Sequence, residues 1–159
     1  MATRQVFYSF HFDKDVMRVQ QIRNIGALED NKPVSENDWE AVKREGDGAI
    51  KAWINRAMSN RSCVVVLVGT DTVDRKWVQY EIEKAWDDNK GLFGIYIHNL
   101  RDPTTGKCLQ GLNPFASWIF EKSGDIAHIA CYNPNPTDAY GDIARNMDKW
   151  VETAIAQRA

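Results

Sequence analysis

A short apolar run followed by a helix-like segment constrains the fold of this chain more than any other feature. Residues 63–69 read Cys-Val-Val-Val-Leu-Val-Gly, which is continuous, β-branched and ended by glycine. Such a run predicts a strand that is buried on both faces of a sheet. After a short loop, apolar residues recur at helical spacing at Val78, Ile82, Ala85 and Trp86. A buried strand followed by an amphipathic helix is half of a βαβ unit, so we expect a parallel sheet.

The remainder of the chain alternates between strand-like and helix-like segments. The predicted strands lie near residues 5–10, 63–69, 92–97 and 126–131, and residues 25–35 hold either a short edge strand or only a loop. Four helices are predicted. The first covers residues 13–24, the second starts after Asn37, and the third contains Trp77. The fourth is C-terminal, and its apolar stripe consists of Ile143, Met147, Trp150, Val151 and Ala154. This alternation predicts an α/β fold, a parallel sheet with helices on both faces, in one domain over residues 1–159. A flavodoxin-like strand order is one arrangement that the pattern allows.

Two segments carry more specific structural expectations. The helix after Asn37 has an apolar face that continues across its glycines, formed by Val42, Gly46, Ala49, Ile50, Trp53 and Ala57. Each glycine costs about 1 kcal/mol relative to alanine, so we expect close packing or a bend there. Residues 101–118 are long for a connection in such a fold and rich in turn residues. This connection leaves the carboxyl end of its strand, the edge of an open α/β sheet where ligands bind, which we call the ligand edge. It is predicted to form a flap or small hairpin over that edge or a contact with a second protomer, and the alternative is a solvated loop.

Glu81 is the candidate functional carboxylate. It lies in the second turn of its helix, one turn after Trp77 and about 60° around the helix from Val78. In a flavodoxin-like strand order, the loop after the first strand and the helix after the 63–69 strand border one crevice. The structural alternative is a glutamate favoured near a helix N-terminus by the helix dipole.

Several short motifs carry a family resemblance. They are Ser9-Phe10-His11, Trp39-Glu40, Trp77-Val78-x-Tyr80-Glu81 and Asn113-Pro114-Phe115. Together they resemble the TIR family, and more closely the TIR-like subunits of Thoeris antiphage defence, over residues 6–115. In the broader TIR pattern Ser-x-Trp-Cys-x-x-Glu, this chain has Arg75 for the serine and Val78 for the cysteine, whereas Trp77 and Glu81 are retained.

The resemblance implies an enzyme that cleaves NAD and makes an ADP-ribose-derived, cyclic second messenger for a separate effector. Glu81 is then the catalytic residue, and the residues implied to bind substrate are Ser9, Phe10, His11, Trp39 and Trp77. It further implies self-association, with a neighbouring subunit helping to form the site. NAD is the substrate, and no separate cofactor is expected.

One carboxylate suits this reaction better than ordinary glycoside hydrolysis, which uses two. Nicotinamide carries the positive charge in NAD and leaves as a neutral molecule, so no general acid is needed. An ionised Glu81 can hold the ribose hydroxyls and stabilise the positive charge that develops at the anomeric carbon. The helix N-terminus is expected to help keep this glutamate ionised.

Two other functions remain open. One is a TIR-like module that acts only through protein–protein contacts, with Glu81 as a dipole residue. The other is a phosphoacceptor domain that uses Asp13, Asp15 and Asp71, although no lysine directly follows the 126–131 strand. The pocket residues also have structural alternatives: Phe10, Trp39 and Trp77 as packing residues, and His11 as an ordinary loop histidine.

Composition excludes other classes of function. The formal net charge of -2 predicts neither nucleic-acid nor membrane binding. Glycine-rich phosphate motifs are absent, and the three histidines are scattered without a cysteine pair, so no metal site is expected. The three cysteines are predicted to be reduced thiols in a cytoplasmic protein.

Overall fold

The core of the fold is a parallel sheet, seen here in a computed structural model that describes residues 6–23, 42–116 and 129–158. Within those ranges, the sheet order is β1-β2-β3-β4 and every pairing is parallel. The strands are β1 (Val6–Ser9), β2 (Cys63–Val68), β3 (Gly91–Tyr96) and β4 (Cys131–Tyr132). The parallel sheet predicted from the alternating pattern is confirmed. The undecided segment 25–35 and predicted strand residues 126–128 lie outside the described ranges.

Strand β2 lies between β1 and β3, and all of its residues are buried. Because successive side chains of a strand point to opposite faces, Cys63, Val65 and Leu67 enter one hydrophobic cluster, whereas the alternate valines enter another. Full burial of a valine-sized or leucine-sized side chain contributes about 1.5–3 kcal/mol. The full burial that the composition of this strand predicted is confirmed, and the strand is a main source of stability.

Helices cover both faces of the sheet. They are α1 (Phe12–Arg23), α2 (Asp47–Met58), α3 (Lys76–Asp87) and α4 (Ala139–Arg158), and a short 3-10 helix (Thr72–Asp74) precedes α3. Residues of α1 and α4 pack in one cluster and residues of α2 and α3 in the other. The predicted stripes of α3 and α4 are confirmed, with Trp86 and Trp150 partly buried at their edges.

The helix predicted after Asn37 is interrupted at Gly46, and the bend expected at its glycines is confirmed. Residues 42–44 are helical, but Gly46 has φ +95°, and α2 begins at Asp47. A positive φ is incompatible with an α-helix and is reached readily by glycine, so the chain changes direction there. Within α2 the predicted face is confirmed at Ile50, which is buried, whereas Ala49, Trp53 and Ala57 are half-buried at its edge. Ile54 and Met58 complete the buried face.

Two further properties concern the environment of the chain. No helix in the described ranges is long and apolar enough to cross a membrane. All three cysteines are free thiols; Cys63 is buried and the other two are half-buried. Burial raises the pKa of Cys63 to about 12, so it stays protonated at neutral pH.

Candidate active site

The register of the sheet brings the end of β1 next to the start of the β2–α3 connection. Ser9, the last residue of β1, pairs with Val66 in β2. Because the two strands are parallel, the loops that begin at Phe10 and Gly69 leave the same edge of the sheet. This edge was predicted to hold the ligand crevice.

A buried hydrogen bond joins Ser9 to Glu81 at this edge. The Ser9 hydroxyl Oγ donates to Glu81 Oε1 across 2.8 Å, although the two residues are 72 positions apart in the sequence. Ser9 is fully buried and Glu81 is 7% exposed. Helix α3 packs Val78, Ile82 and Ala85 onto the sheet, and Glu81 shares that buried side. The prediction that the first-strand end and the Glu81 helix lie together is thus confirmed.

The protonation state of Glu81 differs from the sequence expectation. Burial raises the pKa of this carboxyl from 4.5 to about 8, and the hydrogen bond from Ser9 opposes that rise only in part. The expectation that the helix N-terminus keeps the glutamate ionised is therefore wrong for the free protein. Glu81 lies in the second turn of α3, where the dipole effect has already weakened. Desolvation then outweighs it.

The loop after β1 is held close to the start of α1. His11 is 6% exposed, and its carbonyl accepts a hydrogen bond from the Asp15 N–H across 2.9 Å. Phe10 is partly buried against the cluster that contains α1 and α4. Ser9, Phe10 and His11 therefore lie in sequence along the edge beside Glu81. Their contacts with a substrate stay a prediction.

Trp77 lies one turn before Glu81 on α3. It is half-buried against the cluster that contains α2 and α3, and its ring meets Tyr80 edge-on with centroids 5.8 Å apart. The ammonium group of Lys76 lies 4.9 Å from the centroid of the Trp77 ring. These contacts give Trp77 a packing role, and its role in substrate binding stays a prediction. The other predicted tryptophan, Trp39, is outside the described residues.

The structure adds a buried ion pair that sequence reasoning missed. Arg18 Nη1 lies 3.0 Å from Asp15 Oδ1, and both side chains are almost completely buried. Burial raises the pKa of Asp15, and the Arg18 charge acts against that rise. The signal was present in the sequence, because Asp15 and Arg18 fall on the same helical stripe as the buried Val19 and Ile22. The burial of Asp15 also argues against its use as a phosphoacceptor.

The connection after β3 lies against this edge. Thr70 Oγ1 donates to the carbonyl of Leu109 across 2.6 Å, and Asp102 and Gly106 form an antiparallel bridge. The bridge agrees with the predicted small hairpin, whereas the roles as a flap or protomer contact stay predictions. Further along, Phe115 is buried and its N–H donates to Asn113 Oδ1, so this motif is a turn with its aromatic ring tucked into the core.

The described residues offer little for metal binding. His, Cys, Asp and Glu side chains within those ranges form no group of three that could hold an ion. Among the described residues, the chemistry available at this edge is that of the Glu81 carboxyl with the Ser9 hydroxyl, the Asp15 carboxylate paired with Arg18, and the neighbouring aromatic and histidine side chains.

A parallel sheet covered by helices on both faces, with a glutamate of the post-β2 helix held against the end of β1, defines a TIR-like α/β domain. The family model of the TIR-like domain of Thoeris protein ThsB matches residues 7–102, more than half of the chain. The chain belongs to this family, and the resemblance stated from its motifs is confirmed. A Bacillus cereus (strain MSX-D12) protein, "Putative cyclic ADP-D-ribose synthase ThsB1", is 31% identical over 149 residues, which cover 89% of this chain and 77% of that protein.

Proposed function

We propose that this protein cleaves the nicotinamide–ribose bond of NAD and forms a cyclic ADP-ribose-type second messenger in antiphage defence. Membership of the Thoeris TIR-like family and the name of the Bacillus cereus relative support the reaction class. The observation that carries the proposal is the buried Glu81 carboxyl, held by Ser9 at the ligand edge of the sheet.

The burial of Glu81 favours catalysis over a role in protein contacts alone. Burying a carboxyl group with a neutral hydroxyl as its described partner costs stability. An interaction module gains nothing from that cost, whereas perturbed and desolvated carboxyls are typical of active sites. An exposed glutamate would serve the helix dipole equally well.

The geometry supports electrostatic catalysis. The positive charge of bound nicotinamide favours the ionised form of Glu81, so substrate binding lowers the raised pKa of this group. The carboxylate then stabilises the positive charge that develops on the ribose as nicotinamide leaves with the bonding electron pair. Ring closure onto the adenosine half of the same molecule yields the cyclic product and releases one proton. The low polarity around Glu81 strengthens this attraction relative to water.

The remaining parts of the function are extensions of the same proposal. The pocket for the substrate is shaped by Phe10, His11, Trp39 and Trp77. Ser9 orients Glu81 and contacts the substrate. Self-association completes the site, and the diffusible product activates a separate effector. The support for these parts is the family membership and the position of Ser9-Phe10-His11 along the edge.

Incubation with NAD tests the proposal, with free nicotinamide as the readout. Glu81→Gln keeps the shape and the hydrogen-bond acceptor but removes the charge, so nicotinamide release should fall by at least about 100-fold. Glu83→Gln is the matched control, because Glu83 lies on the same helix and is exposed; it should retain wild-type activity. Wild-type turnover by Glu81→Gln contradicts the assignment. No release by the wild type at any protein concentration would favour the interaction module.

A further inference from the structure

The guanidinium group of Arg18 binds a side chain of its own helix and two carbonyl groups of one turn at the edge of the sheet. Its Nη1 pairs with Asp15 at 3.0 Å, its Nε donates to the carbonyl of Leu100 at 3.0 Å, and its Nη2 donates to the carbonyl of Gly106 at 2.8 Å. All three nitrogens are therefore used, and Arg18 is only 3% exposed. Helix α1 is tied in this way to both ends of the 100–106 turn.

The far part of the same connection is tied to the loop after β2. Thr70 Oγ1 donates to the carbonyl of Leu109, and Gly111 lies so close to Gly69 that a Cβ atom would collide with the Gly69 carbonyl oxygen. On its other side, Gly69 lies against the carboxylate of Asp15, where a Cβ atom would also collide. We call residues 100–111 the post-β3 loop. It is thus held at two points, by Arg18 of helix α1 and by the loop between β2 and α3.

These contacts bear on the second half of the proposed reaction. Once nicotinamide has left, the cationic ribose forms its new bond either to the adenosine half of the same molecule or to water. Either route releases nicotinamide and one proton; the first gives the cyclic product and the second gives linear ADP-ribose. The ratio of the two products depends on water access to the site and on the fold of the bound substrate. A loop fixed beside the site by these contacts limits the access of water and constrains the fold of the bound substrate.

We propose that Arg18 is a positioning residue that holds the post-β3 loop on the ligand edge and thereby favours cyclisation of the substrate over hydrolysis. This inference rests on the proposed NAD-cleaving function. Arg18 acts through the loop, and no direct contact with the substrate is needed. The structure provides a variant that separates this role from the ion pair. Arg18→Lys keeps a charge for Asp15, but an ammonium group cannot reproduce the planar three-way contact.

The experiment measures nicotinamide, cyclic product and linear ADP-ribose for each variant by chromatography, and amide hydrogen exchange across residues 100–111. In Arg18→Lys the ratio of cyclic to linear product should fall at least about threefold, the scale of one or two lost hydrogen bonds. Exchange in the loop should speed up about tenfold, while exchange in β2 stays as in the wild type. A purely structural loss would lower both products together and leave their ratio unchanged.

Thr70→Val and Arg145→Lys complete the design. Thr70→Val removes the hydrogen bond to Leu109 without leaving a buried charge, so it tests the role of the loop even if Arg18→Lys does not fold. In this variant too, the ratio of cyclic to linear product should fall. Arg145 is exposed and pairs with Asp138 on the surface, so its lysine variant should match the wild type. Normal nicotinamide release with an unchanged ratio, or unchanged loop exchange, overturns this inference alone. A wild type that releases no nicotinamide overturns the proposed function as well.

Discussion

The buried Glu81 carboxyl should make the stability of this protein fall as the pH rises, and Glu81→Gln should remove that dependence. The folded protein holds this group with a pKa of about 8, whereas the ordinary value is 4.5. Below the ordinary value the group is protonated in both states, and its favourable contribution is complete. As the pH rises, the unfolded chain loses the proton first, and the contribution disappears as the pH passes the folded pKa.

The size of the effect follows from these two values. A rise from 4.5 to about 8 corresponds to about 5 kcal/mol over the full range, at about 1.4 kcal/mol per pH unit. Between about pH 5 and about pH 8 the expected loss is about 3.5 kcal/mol, because the titration is incomplete at each end. Glutamine has nearly the same volume and can still accept the hydrogen bond from Ser9. The variant should therefore keep the packing and lose only the titration.

Urea unfolding at about pH 5 and about pH 8 tests this expectation. The useful quantity is the difference in free energy of unfolding between wild type and Glu81→Gln at each pH, because all other titrating groups then cancel. This difference should move by roughly 2–4 kcal/mol in favour of the variant at the higher pH. Glu83→Gln, which removes an exposed glutamate from the same helix, is the control for the loss of a negative charge from α3. A difference that stays constant within about 0.5 kcal/mol would refute the argument, since such a Glu81 would be ionised in the fold like any surface glutamate.

Three further expectations concern activity. The value of kcat/KM of the wild type should rise with pH towards about 8, because the ionised form of Glu81 is the active one. Ser9→Ala removes the hydrogen bond that lowers the pKa of Glu81, so this rise should move to higher pH and activity at neutral pH should fall about tenfold. An unmoved pH–rate profile would contradict the role of the Ser9 hydroxyl. Replacement of residues 104–109 by a short Gly-Ser link should reduce activity far more than the melting temperature, and unchanged activity and assembly would identify a solvated loop. Specific activity should rise with protein concentration if a second protomer completes the site, whereas flat activity of a monomer in light scattering would exclude that arrangement.

The sheet and its main helices could be predicted because their signals are local. The 63–68 strand is β-branched throughout, so its burial on both faces follows from composition, and the apolar stripes of α3 and α4 follow from helical spacing. In the α2 region the glycines indicated a bend, but the complete break of the helix at Gly46 could not be predicted in the same way. The residue that redirects the chain there is Gly46, and a glycine in a sequence shows only that a positive φ is permitted, not that it is used.

The candidate site was predictable in its location but less so in its chemistry. Parallel neighbouring strands place their carboxyl ends on one edge, so the meeting of the first-strand end with the Glu81 helix followed from topology. The pKa of Glu81 did not follow from topology, because the direction of its shift depends on how completely the carboxyl group is removed from water. That quantity is set by the packing of Val78, Ile82 and Ala85 on the sheet. A position at the edge of an apolar stripe is compatible with either exposure or burial.

Apart from the local Asp15–Arg18 ion pair, the contacts that sequence reasoning missed join residues far apart in the chain. Arg18 reaches Leu100 and Gly106, and Gly69 lies between Asp15 and Gly111. Each arises only after the sheet has placed the loops after β1, β2 and β3 side by side on one edge. A buried arginine in a helical stripe shows that it must find acceptors, but the fold alone decides which carbonyl groups those are. Here the acceptors belong to the loop beside the proposed NAD site, so one guanidinium group stabilises α1 and also fixes the geometry of the ligand edge.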